Sequence, residues 1–288
     1  MKELISDQTF ENGFSLCHIN ALVTRDPIAK FDFCGTAKGS PRWMIAQWCN
    51  QHNLACGTER VTHDLAYIYE DLSKTVKVYP GTGKIQLDVR ASTEYFWDRK
   101  VGEGWPHLLL EQVIADAPRL SKTRVLRYEA DYAVSLFRDY MGARANPALH
   151  SAGVGWCAKI RNKNPDSSGY GDFFWFVVKL FDNRYPFANK FRAQDGGKEE
   201  NTGKFIYAVD GHLFQKEAYY YIEPMNLCYD ILPELKNAFL YCKGQGFMKD
   251  SEWEDLYYDD FNIGWEVTGT YDCGLTINRL SLLYEGED

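Results

Sequence analysis

The stretch Lys84-Ile-Gln-Leu-Asp-Val-Arg-Ala-Ser-Thr-Glu-Tyr-Phe-Trp-Asp98 carries the strongest pattern in this sequence. The apolar residues Ile85, Leu87, Val89, Ala91 and Tyr95 alternate with polar ones. A period of two is typical of a strand that has one face in a core and the other towards solvent or a ligand. The pattern therefore predicts a strand over 84–97 whose polar face carries Asp88, Arg90 and Glu94.

The following segments extend this sheet. A corner at Gly102-Glu-Gly104 carries Trp97 and Trp105 and leads into a second predicted strand, 106–114, which could lie beside the first. The alternation continues over 124–138, 154–161 and 172–181. If these strands are coplanar, their polar faces join into one surface that carries Arg127, Glu129, Asp131, Lys159, Arg161, Trp175 and Lys179.

Further strands are predicted over 14–23, 43–49, 65–70, 74–79, 204–209, 263–271 and 274–284, separated by Gly, Pro and Asn turns. Two short helices are predicted near the C-terminus. The first follows Pro233, with Leu235, Ala238, Phe239 and Cys242 on one stripe, and ends at Gly244. The second begins at the capping-box spacing of Ser251 and Glu254. The expected fold is an all-β, two-sheet jelly-roll sandwich in which residues 1–288 form a single domain.

Composition limits the possible ligands. Of 288 residues, 45% are hydrophobic and 25% charged, which suits a globular protein with a sizeable core, and the net charge is −8. Nucleic-acid and anionic-membrane binding rely on an excess of Lys and Arg, so this balance argues against both kinds of partner. Neutral ligands fit best, although a local basic groove for an acidic polymer remains compatible with the sequence.

The eight cysteines form no C-x-x-C pair and no tight framework, and the N-terminus has no apolar run of signal-peptide length. We therefore expect reduced thiols and a cytoplasmic protein, or a secreted one if a leader has been removed. No cofactor motif is present, so no cofactor is expected, and the oligomeric state is left open.

Long strands with a polar face flanked by Trp suit carbohydrate, because aromatic rings stack on sugar C–H faces while polar side chains bind hydroxyls. The same pattern also describes an ordinary solvated sheet with cross-strand charge pairs. The residues predicted to bind a glycan are Asp88, Arg90, Glu94, Trp97, Trp105, His107, Arg127 and Trp175.

Two enzymatic alternatives use the same surface. Glycoside hydrolysis requires two carboxyl groups, and Glu111 with Glu129 or Asp131 could supply them from neighbouring strands. A polysaccharide lyase would instead use a base near an Arg, which could be assembled from His107, Arg90 and Tyr128. A structural protein that uses its exposed aromatic residues for assembly is the third possibility.

The two ends of the chain resemble galactose-binding-like jelly rolls, the fold of many carbohydrate-binding modules. The resemblance rests on Phe10-Glu-Asn-Gly13, on Gly264-Trp-Glu-Val-Thr-Gly-Thr-Tyr-Asp272 and on the alternating segment 275–282. It implies a structural calcium between the first and last strands, held by Glu11 and Asp272. The length of the chain is closer to that of concanavalin-like jelly rolls, which include glycosidases and lyases. Of these possibilities, glycan recognition without catalysis is the main expectation.

Overall fold

A computed structural model describes residues 1–20, 26–199, 201–219 and 222–287. Within them the chain is almost entirely β, with seventeen strands in two sheets and one α-helix. The two-sheet jelly-roll sandwich predicted from the sequence is confirmed.

The chain crosses repeatedly between an eight-stranded and a nine-stranded sheet. The eight-stranded sheet contains β1 (Lys2–Glu3), β5 (Thr58–Val61), β6 (Tyr67–Glu70), β7 (Lys74–Tyr79), β8 (Lys84–Arg90), β10 (Thr123–Asp139), β15 (Met225–Asp230) and β17 (Tyr271–Gly286). Its order is β15-β10-β17-β8-β7-β6-β5, and β1 pairs with β17.

The nine-stranded sheet contains β2 (Phe14–Leu16), β3 (Ala29–Phe31), β4 (Trp43–Ala46), β9 (His107–Val113), β11 (Ala152–Asn162), β12 (Phe173–Asp182), β13 (Phe191–Gln194), β14 (Phe205–Ala208) and β16 (Leu256–Val267). Its order is β13-β14-β12-β11-β16-β9-β4-β2-β3. The pairs β2–β4 and β12–β14 are parallel.

The expectation that the first two predicted strands lie side by side in one sheet is wrong. β8 and β9 follow each other in sequence, yet they belong to different sheets. The predicted strand 84–97 ends at Arg90, and a 3-10 turn over Ala91–Thr93 leads the chain away from the sheet. This crossing separates residues that the sequence suggested would share one surface.

Other predicted strand boundaries are broadly right. The strand expected over 14–23 covers Phe14–Leu16, and residues 21–23 lie outside the described residues. The strand expected from 263 begins at Leu256. Strands β1, β3, β5, β13 and β15 were not predicted, because they span only two to six residues and show little alternation.

One hydrophobic cluster fills the space between the sheets and includes the inward residues of both. Trp156, for example, stacks on Tyr128 from the facing sheet, with ring centroids 3.8 Å apart. The α-helix α1, Leu232–Gly244, buries Leu235, Ala238, Phe239 and Cys242, which is the predicted stripe. It packs on β10, β12 and β14.

The second predicted helix is wrong in type. Trp253–Asp255 is a single 3-10 turn, and its capping box uses Glu252 and Asp255 rather than Ser251 and Glu254. None of the eight cysteines, all of which lie in the described ranges, forms a disulfide. No helix among the described residues is long and apolar enough to span a membrane.

Candidate functional site

Five of the predicted polar residues lie on the outer face of the eight-stranded sheet: Asp88 and Arg90 on β8, and Arg127, Glu129 and Asp131 on β10. Glu129 accepts a bond from Arg279 at 2.6 Å and lies 3.6 Å from Arg127. Asp131 accepts a bond from Asn226 at 2.7 Å. The contacts of Glu129 with Arg279 and of Asp131 with Asn226 are cross-strand pairs of a solvated sheet, and Arg127 and Glu129 are neighbours on one face of β10.

Arg90 has a structural role on this face. Its guanidinium donates to the carbonyl oxygens of Asp71, Leu72 and Lys74 and to Oγ1 of Thr75, which ties β8 to the turn between β6 and β7. Asp88 and Arg90 therefore share a face, as predicted, but the Arg90 donors are already used within the fold.

Glu94 does not join that face, contrary to expectation. It follows the 3-10 turn and is buried. Its carboxylate accepts the backbone N–H of Gln51 and lies 3.6 Å from the ammonium of Lys74, which is also fully buried and lies 2.8 Å from Asp71. Buried charges need such partners, so we assign Glu94 to an internal ion cluster.

The proposed catalytic pairs do not form. Glu111 points outward from β9 in the nine-stranded sheet, whereas Glu129 and Asp131 point outward from the opposite sheet. The core lies between them, so the pairing with Glu111 was wrong. The lyase constellation fails for the same reason, because Tyr128 lies inside the core and Arg90 and His107 belong to different sheets.

The calcium site implied by the resemblance is also not assembled. Glu11 forms an ion pair with Lys38 and lies near Gly81, in the turn that precedes β8. Asp272 pairs in register with Arg90, at the other end of β8, and accepts the N–H of Ser92. The two carboxylates are therefore separated by the length of that strand. No group of three or more His, Cys, Asp or Glu within the described ranges could hold a metal ion.

The outer face of the nine-stranded sheet has a different character, because glycines occupy its centre. Gly155 on β11 and Gly264 on β16 are directly opposite each other, and Gly153 lies two residues further along β11. Their neighbours in sequence point into the core, so these glycines are on the outer face. Glycine inside a strand often marks a place where a ligand or another backbone approaches closely. We call this area the glycine depression.

A row of polar side chains forms one side of the depression. Cys157, Asn262 and Glu111 lie in register on the neighbouring strands β11, β16 and β9. Asn262 is 6% exposed, and its Oδ1 has no hydrogen-bond partner among the described residues. Buried amide oxygens are normally satisfied, so this acceptor, which is itself enclosed by the fold, is an exception.

Glu266 lies on the other side of the depression, two residues beyond Gly264. Its Oε2 accepts a bond from Nε1 of Trp105 at 3.1 Å and lies 3.7 Å from Nε2 of His107. His107 also lies between Trp48 and Trp105, with ring centroids 5.9 and 5.7 Å away. This end of the face is therefore a packed cluster of aromatic and ionisable side chains.

Burial and charge set the protonation states of this cluster. Burial, reinforced by repulsion from Lys198, lowers the pKa of His107 to about 4 even though Glu266 opposes the shift. Burial alone would raise the pKa of Glu266, but attraction from His107 and Lys198 and the bond from Trp105 outweigh it, so this pKa is lowered. Although 3.7 Å would permit an ion pair, the contact at neutral pH is between a neutral imidazole and a carboxylate.

Only two of the three predicted tryptophan positions share the face. Trp105 lies beside His107, and Trp175 lies on β12 at the opposite end, where its Nε1 donates to Thr202. Trp97 is 60% exposed on the preceding loop and donates to Glu103. The rings of Trp105 and Trp175 are partly covered by charged side chains, and Trp97 is the most open stacking surface of the three.

Two carboxylates on neighbouring strands lie near the polar row. Asp260 on β16 pairs in register with Val113, and Asn262 pairs with Glu111, so Asp260 and Glu111 are diagonal neighbours. Such Cα atoms are about 7–8 Å apart. Burial raises the pKa of Asp260, although its ion pair with Lys159 at 3.0 Å opposes the shift.

A separate recess of about 500 Å³ lies away from this face, at the edge of the eight-stranded sheet. Its lining includes His52, Glu70 and Asp71. Glu70 is bound by Thr75 and Arg60, and Asp71 lies against Lys74. Since these charges serve the fold, we regard the recess as a surface feature.

The residues that the sequence analysis missed are Trp48, Gly155, Lys198, Asn262, Gly264 and Glu266. A longer alternation over 256–267 would have placed Asn262 and Glu266 on one face of β16, since Phe261, Ile263 and Trp265 alternate with them. No local signal marks Lys198, because it lies between β13 and β14 and reaches the site only through the fold.

No protein-family model matches the chain, and no curated protein sequence matches it. Similar solved structures include a cellulase derived from Cel12A of Rhodothermus marinus, with a TM-score of 0.43, 10% identity, and coverage of 80% of this chain and 96% of that chain. A family 12 xyloglucanase from Bacillus licheniformis in complex with ligand gives 0.43 and 10%, covering 80% and 97%. The xyloglucanase domain of NopAA from Sinorhizobium fredii, in complex with cellobiose, gives 0.40 and 11%, covering 80% and 96%.

Proposed function

We propose that this protein binds carbohydrate on the outer face of its nine-stranded sheet, in the glycine depression. The observation that carries the proposal is the combination of Gly155 and Gly264 at the floor with polar side chains on both sides. The missing side chain of Gly153, where a Cβ would meet only the carbonyl oxygen of Phe181 at 3.5 Å, leaves room for a flat ring to approach the backbone, whereas the backbone of β9 fills the space beside Gly264. Asn262 and Glu266 then flank that ring with hydrogen-bonding groups.

The chemistry of the flanking groups favours a hydroxyl-rich ligand. Oδ1 of Asn262 is buried and has no donor among the described residues, so a shift of this amide towards the surface would let it accept a hydrogen bond from a sugar hydroxyl. Partly exposed indoles at the two ends, Trp105 and Trp175, add apolar surface of the kind that sugar C–H faces contact. These groups fit the carbohydrate ligand expected from the sequence, but they lie on the nine-stranded sheet and not on the sheet that contains β8.

Replacing Asn262 with Leu tests the proposal. The variant should lose roughly tenfold in glycan affinity, the equivalent of about 1.4 kcal/mol for one lost hydrogen bond. Its thermal midpoint should be unchanged or higher, because a buried oxygen without a partner is replaced by an apolar group of similar size. Affinity electrophoresis through gels containing a panel of polysaccharides, with thermal melts alongside, measures both quantities.

Asn226→Leu is the matched control, because Asn226 is exposed on the outer face of the opposite sheet. It should bind like the wild type. If no polysaccharide of the panel retards the wild type, or if both variants bind equally well, the depression is not a carbohydrate site.

Glycoside hydrolysis is the second candidate, and the diagonal pair of Glu111 and Asp260 favours it. The carboxyl groups of glycosidases are about 5–5.5 Å apart in retaining enzymes and about 6.5–9.5 Å apart in inverting ones. Diagonal neighbours on adjacent strands can reach this range. The raised pKa of Asp260 suits a general acid, and Glu111 would then act as base or nucleophile.

The hydrolytic candidate has its own readout. Release of reducing sugar from a bound polysaccharide should fall at least about a hundredfold in Glu111→Gln and in Asp260→Asn, since acid–base catalysis contributes on the order of 10²–10⁴. Binding should persist in both variants. Binding by the wild type without any release of sugar would leave recognition alone as the function.

A further inference from the structure

We infer that the glycan taken by this face is anionic, and that Lys198 is the counter-ion that selects it. This inference rests on the proposed function and names its substrate class. It follows from the charges around Trp105, at the end of the glycine depression that Glu266 occupies.

Two cations lie against the indole of Trp105. The ammonium of Lys198 is 3.8 Å from the ring centroid, and the guanidinium carbon of Arg99 is 4.7 Å from it. Arg99 donates to the carbonyl oxygens of Glu103 and Leu149, and Lys198 lies 3.4 Å from Nε2 of His107. Within the described part of the chain, neither cation has a carboxylate at ion-pair distance. An aromatic face attracts a cation but does not neutralise it.

The surrounding side chains add to this positive charge. Lys179 and Arg184 share one carboxylate, Asp182, at 2.9 and 2.6 Å. Glu266 and Glu103 are the other carboxylates here, Glu103 attracts Arg99, and His107 is neutral at pH 7 because burial lowers its pKa. Cations therefore outnumber carboxylates around Trp105, although the chain as a whole carries a net charge of −8. A positive site in an acidic protein favours an acidic ligand.

Lys198 and Thr202 contact the two ends of this face. Lys198 forms a bridge to Gly102 at the Trp105 end, and Thr202 accepts the indole N–H of Trp175 at the other end. The ammonium lies against Trp105 and His107, at one end of the groove. A carboxylate or sulfate on a sugar in the groove would meet a positioned donor whose attraction to Glu266 is not a direct ion pair.

The test compares anionic and neutral polymers on the full chain. Wild type, Lys198→Gln, Lys198→Arg and Lys236→Gln are run through gels containing polygalacturonate, dextran sulfate or neutral dextran, with thermal melts as a folding check. Lys236 is an exposed residue of α1, so its variant makes the same charge change away from the groove. The two acidic polymers distinguish a carboxylate from a sulfate ligand.

We expect at least one acidic polymer to bind the wild type more tightly than dextran. Lys198→Gln should lose about tenfold or more of that affinity, since bonds to charged groups are stronger than neutral ones. Lys198→Arg and Lys236→Gln should bind like the wild type. Equal binding by Lys198→Gln, or tighter binding of neutral polymers, would overturn the inference while the proposed function stands. Failure of every carbohydrate tested would overturn both.

Discussion

At the Glu266 end of the depression, burial decides the protonation state and the accessibility of single residues more than their neighbours in sequence do. His107 begins strand β9 and is almost fully buried between Trp48, Trp105 and Glu266. A histidine kept neutral in such a place titrates far below an exposed one. The same burial explains why Trp105, expected as an open stacking surface, has its ring partly occupied by Lys198 and Arg99.

The titration of His107 predicts an acid-sensitive fold. Its pKa is lowered to about 4 in the folded protein, against 6.5 for the free side chain. Between these values the unfolded chain binds a proton that the native state does not, so stability falls as pH decreases from 6.5 to 4. The slope from one such group is at most about 1.4 kcal/mol per pH unit.

Urea unfolding at several pH values between 7 and 4.5 measures this dependence. His107→Gln, which cannot titrate, should show a shallower loss of stability over the same range. Identical pH profiles for wild type and variant would mean that His107 is not the group responsible. Unfolding of the exposed His63→Gln variant serves as the control, because that ring is solvated in both states.

At the scale of single elements, β16 is the strand on which the candidate site depends. It carries Asp260, Asn262 and Glu266 outward, and Phe261, Ile263 and Trp265 inward. Gly264 allows this strand to approach β9 closely, since its φ of +148° is one that side-chain-bearing residues rarely adopt. A Cβ at this position would lie 2.3 Å from the carbonyl oxygen of Leu108.

Gly264→Ala should therefore destabilise the protein by at least about 2 kcal/mol, through backbone strain and the forced separation of β9 from β16. Gly244→Ala is the matched control. Gly244 is the last residue of α1, and a Cβ there would meet no atom within 4 Å. Alanine at this position should be neutral or slightly stabilising, because it favours the helix. Chemical denaturation compares the stabilities of the two variants. A Gly264→Ala variant as stable as the wild type would show that a Cβ at position 264 does not strain the pairing of β9 with β16.

At the scale of the whole molecule, the sandwich has two outer faces with different chemistry. The face of the eight-stranded sheet carries charges that pair with each other, such as Glu129 with Arg279. The face of the nine-stranded sheet carries glycines, an unsatisfied acceptor at Asn262 and a cation without a described counter-ion at Lys198. Since the core separates these faces, a ligand on one cannot contact the other, and the predicted residues divide between them.

The sequence by itself determined the longer strands, most of their inward and outward residues and the buried stripe of α1. These features depend on local periodicity, in which Ile85, Leu87 and Val89 or Leu235 and Phe239 fall on one side of their own element. Only the tertiary structure decided which sheet each strand joins. Alternation says which residues of a strand share a face, but pairing depends on contacts between distant segments. The loop after β8 crosses the sandwich, so Asp88 and His107 occupy opposite faces although only eighteen positions separate them.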